Sequence, residues 1–558
     1  MSKRSAVLIV ITVVVLLYGV IYPNLFVVNM SLHRNGELTL ANYREVLSQS
    51  VVIEAILNSI GLSVFTVLLC AIVGVPLAFL FERFDFPGRR VFAALAALPL
   101  VLPPLVGTVA FIFLYGESGI LAHSIQNLFG LETPPWSLQG WTALLFFHTY
   151  TMYPFFYVLT GAGLRRIDAS LAEAARSLGG SRRVVLRRVL LPQLTPSLIA
   201  AALLTFMTSM ASFSAPLLFG GNVRVLTLEI FTARQRGDSV MGVTETVVLA
   251  VISLAALIFF QRYEGTRKFA AAAMKGAPRR RVAVASGKVR VLATVAAIIF
   301  AIVLVLPVAT LILVSFAREG SWTTQTFPSA YTVANYVRLF SEPLASEVFV
   351  NSLIMSAIAA VASLLWSFCV VTLLVGRDQR RLLDKSWRRL LSLLVLIPWA
   401  LPGTVVAVSV AEAYGGLGSF PGSLALVGTF WILPVVYFLR FMPLVVRAVQ
   451  ASMEQLDPAL DEAAGSLGAH AWQRFMRVTL PLVWPGAVAG TLLAFVIALG
   501  EYVASVLVFV PANRPISIAI ASELRDFNLG AAAAYGVVLI VIISISMVAA
   551  GKLERMRG

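Results

Sequence analysis

Charge is scarce in this chain. Only 13% of its 558 residues are Asp, Glu, Lys or Arg, about half of what a soluble domain carries, which excludes an ordinary water-soluble globule. Cysteine is scarcer still. Cys70 and Cys369 stand at positions that no internal repeat relates, so neither a disulfide framework nor a metal pair is expected, and both read as small buried hydrophobes. The four histidines, His33, His123, His148 and His470, are scattered without the spacing of a metal site. No Gly-x-x-x-x-Gly-Lys-Ser/Thr occurs: Gly287-Lys288 is followed by valine and Gly551-Lys552 by leucine. The chain therefore cannot hydrolyse ATP by the phosphate-cradling loop route. A nucleophile-elbow motif is missing too, and the expectation is a non-enzymatic chain with no catalytic residue, no metal site and no cofactor of its own.

What is present is grease. Hydrophobic residues make up 59% of the chain, mean hydropathy is +0.89, and several runs reach the ~20 apolar residues that cross a bilayer. About twelve spans are expected: 6–28, 56–81, 91–115, 141–164, 194–219, 240–261, 291–316, 351–375, 390–414, 424–446, 482–510 and 530–550. Spans must satisfy their backbone hydrogen bonds internally, so they are helices; the ~10-residue alternation of outer-membrane strands is missing. The formal charge of +16 is a matter of topology rather than of nucleic acid. With Lys3 and Arg4 inside, the outer loops hold only nine of the 43 Lys and Arg, and Arg440 counts to the inner end of its span. That bias places both termini in the cytoplasm, with anionic lipid as the partner of the basic loops. The first span is longer than a signal-peptide core and no small-x-small cleavage site follows, so it reads as a retained anchor.

The chain says much of itself twice. Ala41-Asn42-Tyr43 recurs as Ala334-Asn335-Tyr336 and Asn58-Ser59 as Asn351-Ser352, both at an offset of 293. Pro99 and Pro103 recur as Pro398 and Pro402 at 299. Two repeats of six spans, 1–265 and 290–558, are expected around a basic cytoplasmic linker, 266–289. An even span count gives both repeats the same orientation, related by a pseudo-two-fold axis along the membrane normal. The fold class is thus an all-α polytopic membrane protein of two parallel six-helix repeats. In-span prolines, among them Pro76, Pro99, Pro103, Pro154, Pro398, Pro402 and Pro434, are expected to kink or break helices. The loop 116–140, with Pro134-Pro135-Trp136 and no Lys or Arg, reads as an outer interfacial loop.

The most informative repeat is polar. Ala172-Glu173-Ala174-Ala175-Arg176-Ser177-Leu178-Gly179 returns as Asp461-Glu462-Ala463-Ala464-Gly465-Ser466-Leu467-Gly468, and Leu191-Pro192 as Leu480-Pro481, all at an offset of 289. Asp168 and Asp457-Pro458 are helix starts, and Gly179 and Gly468 are helix stops. Each copy is a short helix after the fourth span of its repeat, too short to stand alone. One such helix is as well explained by an ordinary interspan loop as by a partner site. Two at matched positions call for a partner, and the alanines leave a low face for its close approach.

This pattern resembles the Glu-Ala-Ala loop of the membrane subunits of binding-protein-dependent ABC importers, and the resemblance covers both halves. It implies a fold like the type I importer permeases, and docking of the loops on two separate cytoplasmic ATPase subunits, which bind the ATP and Mg²⁺. Glu173, Ala174, Ala175 and Gly179, with Glu462, Ala463, Ala464 and Gly468, would then be the ATPase-contacting residues. It further implies an extracytoplasmic substrate-binding protein, no nucleic acid, and a bacterial inner membrane. The fused arrangement is similar to permeases for iron(III), thiamine and aminoethylphosphonate. Gly500-Glu501-Tyr502 with Ala504-Ser505, and Val225–Ile230, resemble iron-type permeases. Iron(III) is the first substrate expectation, with thiamine, aminoethylphosphonate, polyamine or an oxyanion as alternatives. Twelve helices in two parallel halves also describe an ion-coupled secondary carrier. Such a carrier has no use for a duplicated polar loop and needs coupling charges that are sparse in these spans. A carboxylate in a span faces a cavity or a partner, so Glu501 is either a pathway residue or a structural partner to a neighbouring helix. Tyr502, Ser212 and Ser214 stand in the matched regions and complete the expected pathway.

Overall fold

The computed structural model describes residues 3–265, 282–283, 287–322, 325–375, 384–415 and 425–555. Among these, ten helices are long and apolar enough to cross a membrane, and eleven if the bent pair Ser386–Ala400 and Gly403–Ala413 is one span. The difference from the expected twelve is Gly140–Arg166. At 27 residues it reaches about 40 Å at 1.5 Å per residue, but His148, Thr149, Tyr150, Thr151 and Tyr153 dilute its hydropathy. Most of the expected linker 266–289 lies outside the described residues.

Prolines break two spans at matched places. Leu102 and Leu401 are both extended (ψ 122° and 139°) ahead of Pro103 and Pro402, as the ring of a following proline demands. After Pro402 the chain turns by 103° into Gly403–Ala413. In the first repeat the same stretch is divided into Arg89–Leu95, a tight turn over Leu98–Val101, and Pro104–Tyr115. Pro76 and Pro154 instead lie within continuous helices.

The described residues form two compact units. One comprises Leu47–Glu229 and Val248–Thr332. Its centre is Ser50–Arg83 packed along Gly140–Arg166 and Leu191–Met210, and Gly287–Ser315 lies against Pro104–Tyr115 and Arg89–Leu95. Tyr150 donates its hydroxyl to the Leu304 carbonyl at 2.8 Å, which fixes that last helix in place. The expected interfacial loop here contains a helix, Ile120–Phe129, and Trp136 donates its indole N–H to the Tyr115 carbonyl at 2.7 Å.

The other unit comprises Met1–Val46, Ile230–Val247 and Val333–Gly558. Pro343–Val375, Ile432–Glu454, Leu480–Leu499 and Leu529–Arg555 pack in it as the counterparts of the first set. Tyr22–Ser31 lies against Gly403–Ala413, held by the Tyr414 hydroxyl on the Tyr18 carbonyl at 2.6 Å. Each unit thus takes its proline-broken helix from one repeat and the opening helix beside it from the other. Close packing at Gly490, where a Cβ would stand 2.3 Å from the Ala448 Cβ, follows the small-residue logic of membrane helix pairs.

The repeated Asn-Ser pair acquires a reason. Ser59 Oγ accepts the Leu226 N–H at 2.9 Å, and Ser352 Oγ accepts the Ile516 N–H at 2.7 Å. In each repeat the second span thereby caps the short helix before the last span, Leu226–Gln235 or Ile516–Arg525. Each such bond contributes about 1 kcal/mol. Asn42, from the other repeated motif, ties its own short helix back by donating to the Ser31 and His33 carbonyls.

Candidate functional site

The two Glu-Ala-Ala segments fold as helices Ala169–Ser177 and Pro458–Ser466. Asp168 accepts the Ser170 N–H and Asp457 the Ala459 N–H, each at 2.9 Å, which satisfies one exposed donor of each first turn. The other ends close identically. Gly179 and Gly468 have φ of +79° and +84°. Their N–H groups bond Arg176 and Gly465 carbonyls, while those of Gly180 and Ala469 bond Ala175 and Ala464 carbonyls. This paired-bond closure needs a left-handed residue, which glycine supplies without strain.

That closure sets what the helices present. Glu173, Ala174, Glu462 and Ala463 are exposed, Ala175 and Ala464 half-buried, and Gly179 and Gly468 exposed. Beside them Leu178 and Leu467 are 89% and 88% exposed, two apolar knobs at the same place on both copies. Sequence reasoning passed over these leucines, although Ser-Leu-Gly repeats in both copies and was signal enough.

Each helix stands at the end of a lever. Ser181 and His470 cap a second turn. That turn runs through a wider π segment, Val185–Leu190 or Phe475–Thr479, straight into Leu191–Met210 or Leu480–Leu499. The Leu-Pro pair sits at this splice. The joint between helix and lever differs between copies. Asp461 and Arg474 make an ion pair of 3.1 Å, and Gly465 leaves room for the arginine, since a Cβ there would lie 3.3 Å from its Nη1. In the first copy the same two positions are Ala172 and Val185, both buried.

A second pair of matched features lies at the break after each fifth span. In the first repeat Ser212 bonds the His148 Nε2 at 2.9 Å, while His148 Nδ1 faces Thr66 and Ser209 hydroxyls. Ser214 is buried and accepts from Thr108 at 3.4 Å. In the second repeat Glu501, at the position of Ser212, is 6% exposed. Its carboxylate accepts the Ala504 N–H at 2.9 Å and pairs with Arg440 at 3.2 Å. Tyr502 beside it is buried. Tyr437, at the position of His148, bonds the Ser505 hydroxyl at 2.7 Å. One clip is shared outright: Thr227 donates to the Ser212 carbonyl at 2.6 Å and Ser517 to the Glu501 carbonyl at 2.9 Å.

Arg440 needs a correction. Counted to the inner end of its span from sequence, it lies within helix Ile432–Glu454 and faces Glu501. Its guanidinium lies against the helix break at Gly403, where a Cβ would stand 1.3 Å from Nη1. A glycine after Pro402 is therefore a requirement of the arginine. The part-buried Arg440 is what lets the buried Glu501 keep its charge: opposite charges in contact offset each other's desolvation. Glu412 is ion-paired too, with Arg234. Among the described residues no group of three or more His, Cys, Asp and Glu could hold a metal ion, and both cysteines are free.

Comparison with known proteins gives a consistent answer. A family model described as "Binding-protein-dependent transport system inner membrane component" matches residues 71–265 and again 369–557. A probable ABC transporter permease protein of Sinorhizobium fredii is 32% identical over 92% of this chain and 89% of its own length. A ferric transport system permease protein of Actinobacillus pleuropneumoniae is 25% identical over 95% of this chain and 75% of its own. A putative 2-aminoethylphosphonate transport system permease protein of Salmonella typhi is 28% identical over 39% of this chain and 77% of its own.

Proposed function

Because the chain belongs to the family of binding-protein-dependent transport system inner membrane components, which it matches twice, we propose that it is the fused permease of an ATP-driven importer, with iron(III) as cargo. Two ATPase subunits supply the ATP and Mg²⁺ chemistry from the cytoplasm, and an extracytoplasmic binding protein delivers substrate to the other face of the inner membrane. The observation that carries this reading is the pair of exposed, doubly capped helices with Leu178 and Leu467 at their tips. An apolar knob surrounded by polar residues is what a docking groove on a partner selects. Glu173, Ala174, Ala175 and Gly179, and Glu462, Ala463, Ala464 and Gly468, form the sockets. ATP-driven closure of the two ATPases pulls both levers, and each lever ends at a break that holds Ser212 and Ser214 or Glu501 and Tyr502. Those four residues are the proposed pathway contacts. ATP and substrate sites are then linked as any two sites are, by states that both ligands bias.

Co-purification tests the sockets. Glu173→Arg with Glu462→Arg, or Leu178→Asp with Leu467→Asp, is expected to remove the ATPase subunits from the purified permease while leaving it folded. Retention of full ATPase stoichiometry in both double variants would sink the reading. The choice of iron(III) rests on the ferric relatives matching across most of the chain, where the aminoethylphosphonate relative matches 39% of it. Iron(III) uptake that depends on this chain tests it, and uptake of aminoethylphosphonate alone would replace it.

A further inference from the structure

Among the described residues, four helices end in the same paired-bond closure, and three of them place glycine at the left-handed position: Gly179, Gly468 and Gly237, with φ of +79°, +84° and +78°. The fourth is Phe527, with φ of +60°. It ends Ile516–Arg525 through its own N–H on the Leu524 carbonyl at 3.3 Å and that of Asn528 on the Glu523 carbonyl at 2.9 Å. Gly237 is its counterpart in the first repeat and makes the same two bonds, to Arg234 and Ala233 carbonyls at 3.0 Å each. The fold therefore asks for a left-handed residue at both turns, and glycine meets that need at one of them.

A bulky side chain in this conformation is a true outlier. Among the described residues the only other non-glycine with positive φ is Asn35. It occupies an Asn-Gly hairpin turn between His33–Arg34 and Glu37–Leu38, where asparagine is a favoured residue. Phe527 has no such reason, and it gains nothing from packing because it is 84% exposed. Strain without compensation inside the fold points outside it. Its neighbours Arg525 and Asp526 are exposed as well, so sinking the ring into hydrocarbon would carry two charges with it, at a cost bilayers rarely tolerate. A protein surface accepts an aromatic with a charged rim far more readily.

We infer that Phe527 is the anchor on which the extracytoplasmic substrate-binding protein docks, and that it marks the second repeat as different from the first. The inference rests on the importer reading, which puts this turn on the outer face. The mounting suits the task. Residues Ile516 to Ala521 of the same helix are buried. Ser352 holds the helix start, and Ser517 holds the Glu501 carbonyl beside the Arg440 pair. Force on the ring thus reaches the buried break through one short helix. The equivalent first-repeat turn, with Gly237, offers no side chain, so a partner meeting both turns finds only one orientation with an anchor.

The test uses the complete transporter in cells and in lipid nanodiscs. A photoactivatable benzoylphenylalanine replacing Phe527 is expected to give, on irradiation, an adduct with an exported substrate-binding protein; the same label replacing Gly237 gives far less. An adduct at 527 with lipid alone, or with a second copy of this chain, overturns the proposal. With that binding protein purified, Phe527→Gly is expected to weaken its binding at least about thirtyfold, the scale of an interface anchor. The thermal midpoint of Phe527→Gly stays level or rises, because the strain is gone. Phe527→Trp keeps affinity within about threefold. Unchanged affinity in Phe527→Gly overturns the proposal. Wild-type transport that needs no binding protein would instead bring down the importer reading, and this inference with it.

Discussion

Single residues carry two different kinds of constraint here, and they respond differently to substitution. Gly179 and Gly468 are conformational: a left-handed residue is needed to close each Glu-Ala-Ala helix. Gly468→Val is expected to cost about 1–2 kcal/mol locally and to weaken ATPase capture, read by co-purification, without unfolding the spans. Gly403 is spatial, since the Arg440 guanidinium fills the place of its Cβ. The Arg440–Glu501 pair is costlier to break than to replace. Glu501→Ala leaves a part-buried guanidinium without its partner and is expected to lower stability by at most about 3 kcal/mol, whereas Arg440→Met with Glu501→Leu recovers most of it. Thermal unfolding of the detergent-solubilised protein checks both, and a double variant no more stable than Glu501→Ala contradicts the pairing. Such residues were only half legible in sequence. Glu501 announced itself as a charge in a greasy run, but its partner is 61 positions away. Arg440 was counted to the inner end of its span because charge alone decided its side.

At the scale of elements, local signals read well and long-range ones did not. The capping aspartates and closing glycines of the two Glu-Ala-Ala helices lie within a turn of what they satisfy, so sequence placed both helices. The serine clips from Ser59 to Leu226 and from Ser352 to Ile516 appeared in sequence only as an unexplained repeat, since 167 and 164 residues separate the partners. The asymmetric joints were invisible for the same reason. They predict unequal levers: Arg474→Ala removes the ion pair with Asp461 and is expected to speed amide hydrogen exchange in 458–468 severalfold while 169–179 stays unchanged. Equal speeding of both loops would contradict the assignment. Val185→Ala is the reciprocal variant, expected to loosen only the first joint. Ion pairs that reach across the chain offer one more check. Arg234 belongs to the first repeat and Glu412 to the second, yet both lie in one compact unit. Glu412→Gln is expected to alter the transport rate more than ATPase binding, because the pair is remote in sequence from either Glu-Ala-Ala helix.

For the whole molecule, the duplication was plain from sequence, while the expected twelve spans stand against ten or eleven and the exchange of helices between the compact units was not legible. Hydropathy reports which segments enter a membrane and says nothing of their neighbours there. Residues 47–229 gather Gly287–Ser315 from the far side of the linker, as Met1–Val46 joins residues 333–558. A fragment of 1–265 alone is therefore expected to aggregate in detergent, and co-expression with 266–558 to restore a monodisperse complex by size-exclusion chromatography. A stable 1–265 fragment would contradict that exchange. Uptake by proteoliposomes that hold this chain with two copies of the proposed ATPase subunit tests the importer reading. The expected result is iron(III) accumulation that requires both ATP inside and the proposed binding protein outside, abolished by Glu173→Arg with Glu462→Arg. Accumulation driven by an ion gradient, with neither ATPase nor binding protein present, would contradict it.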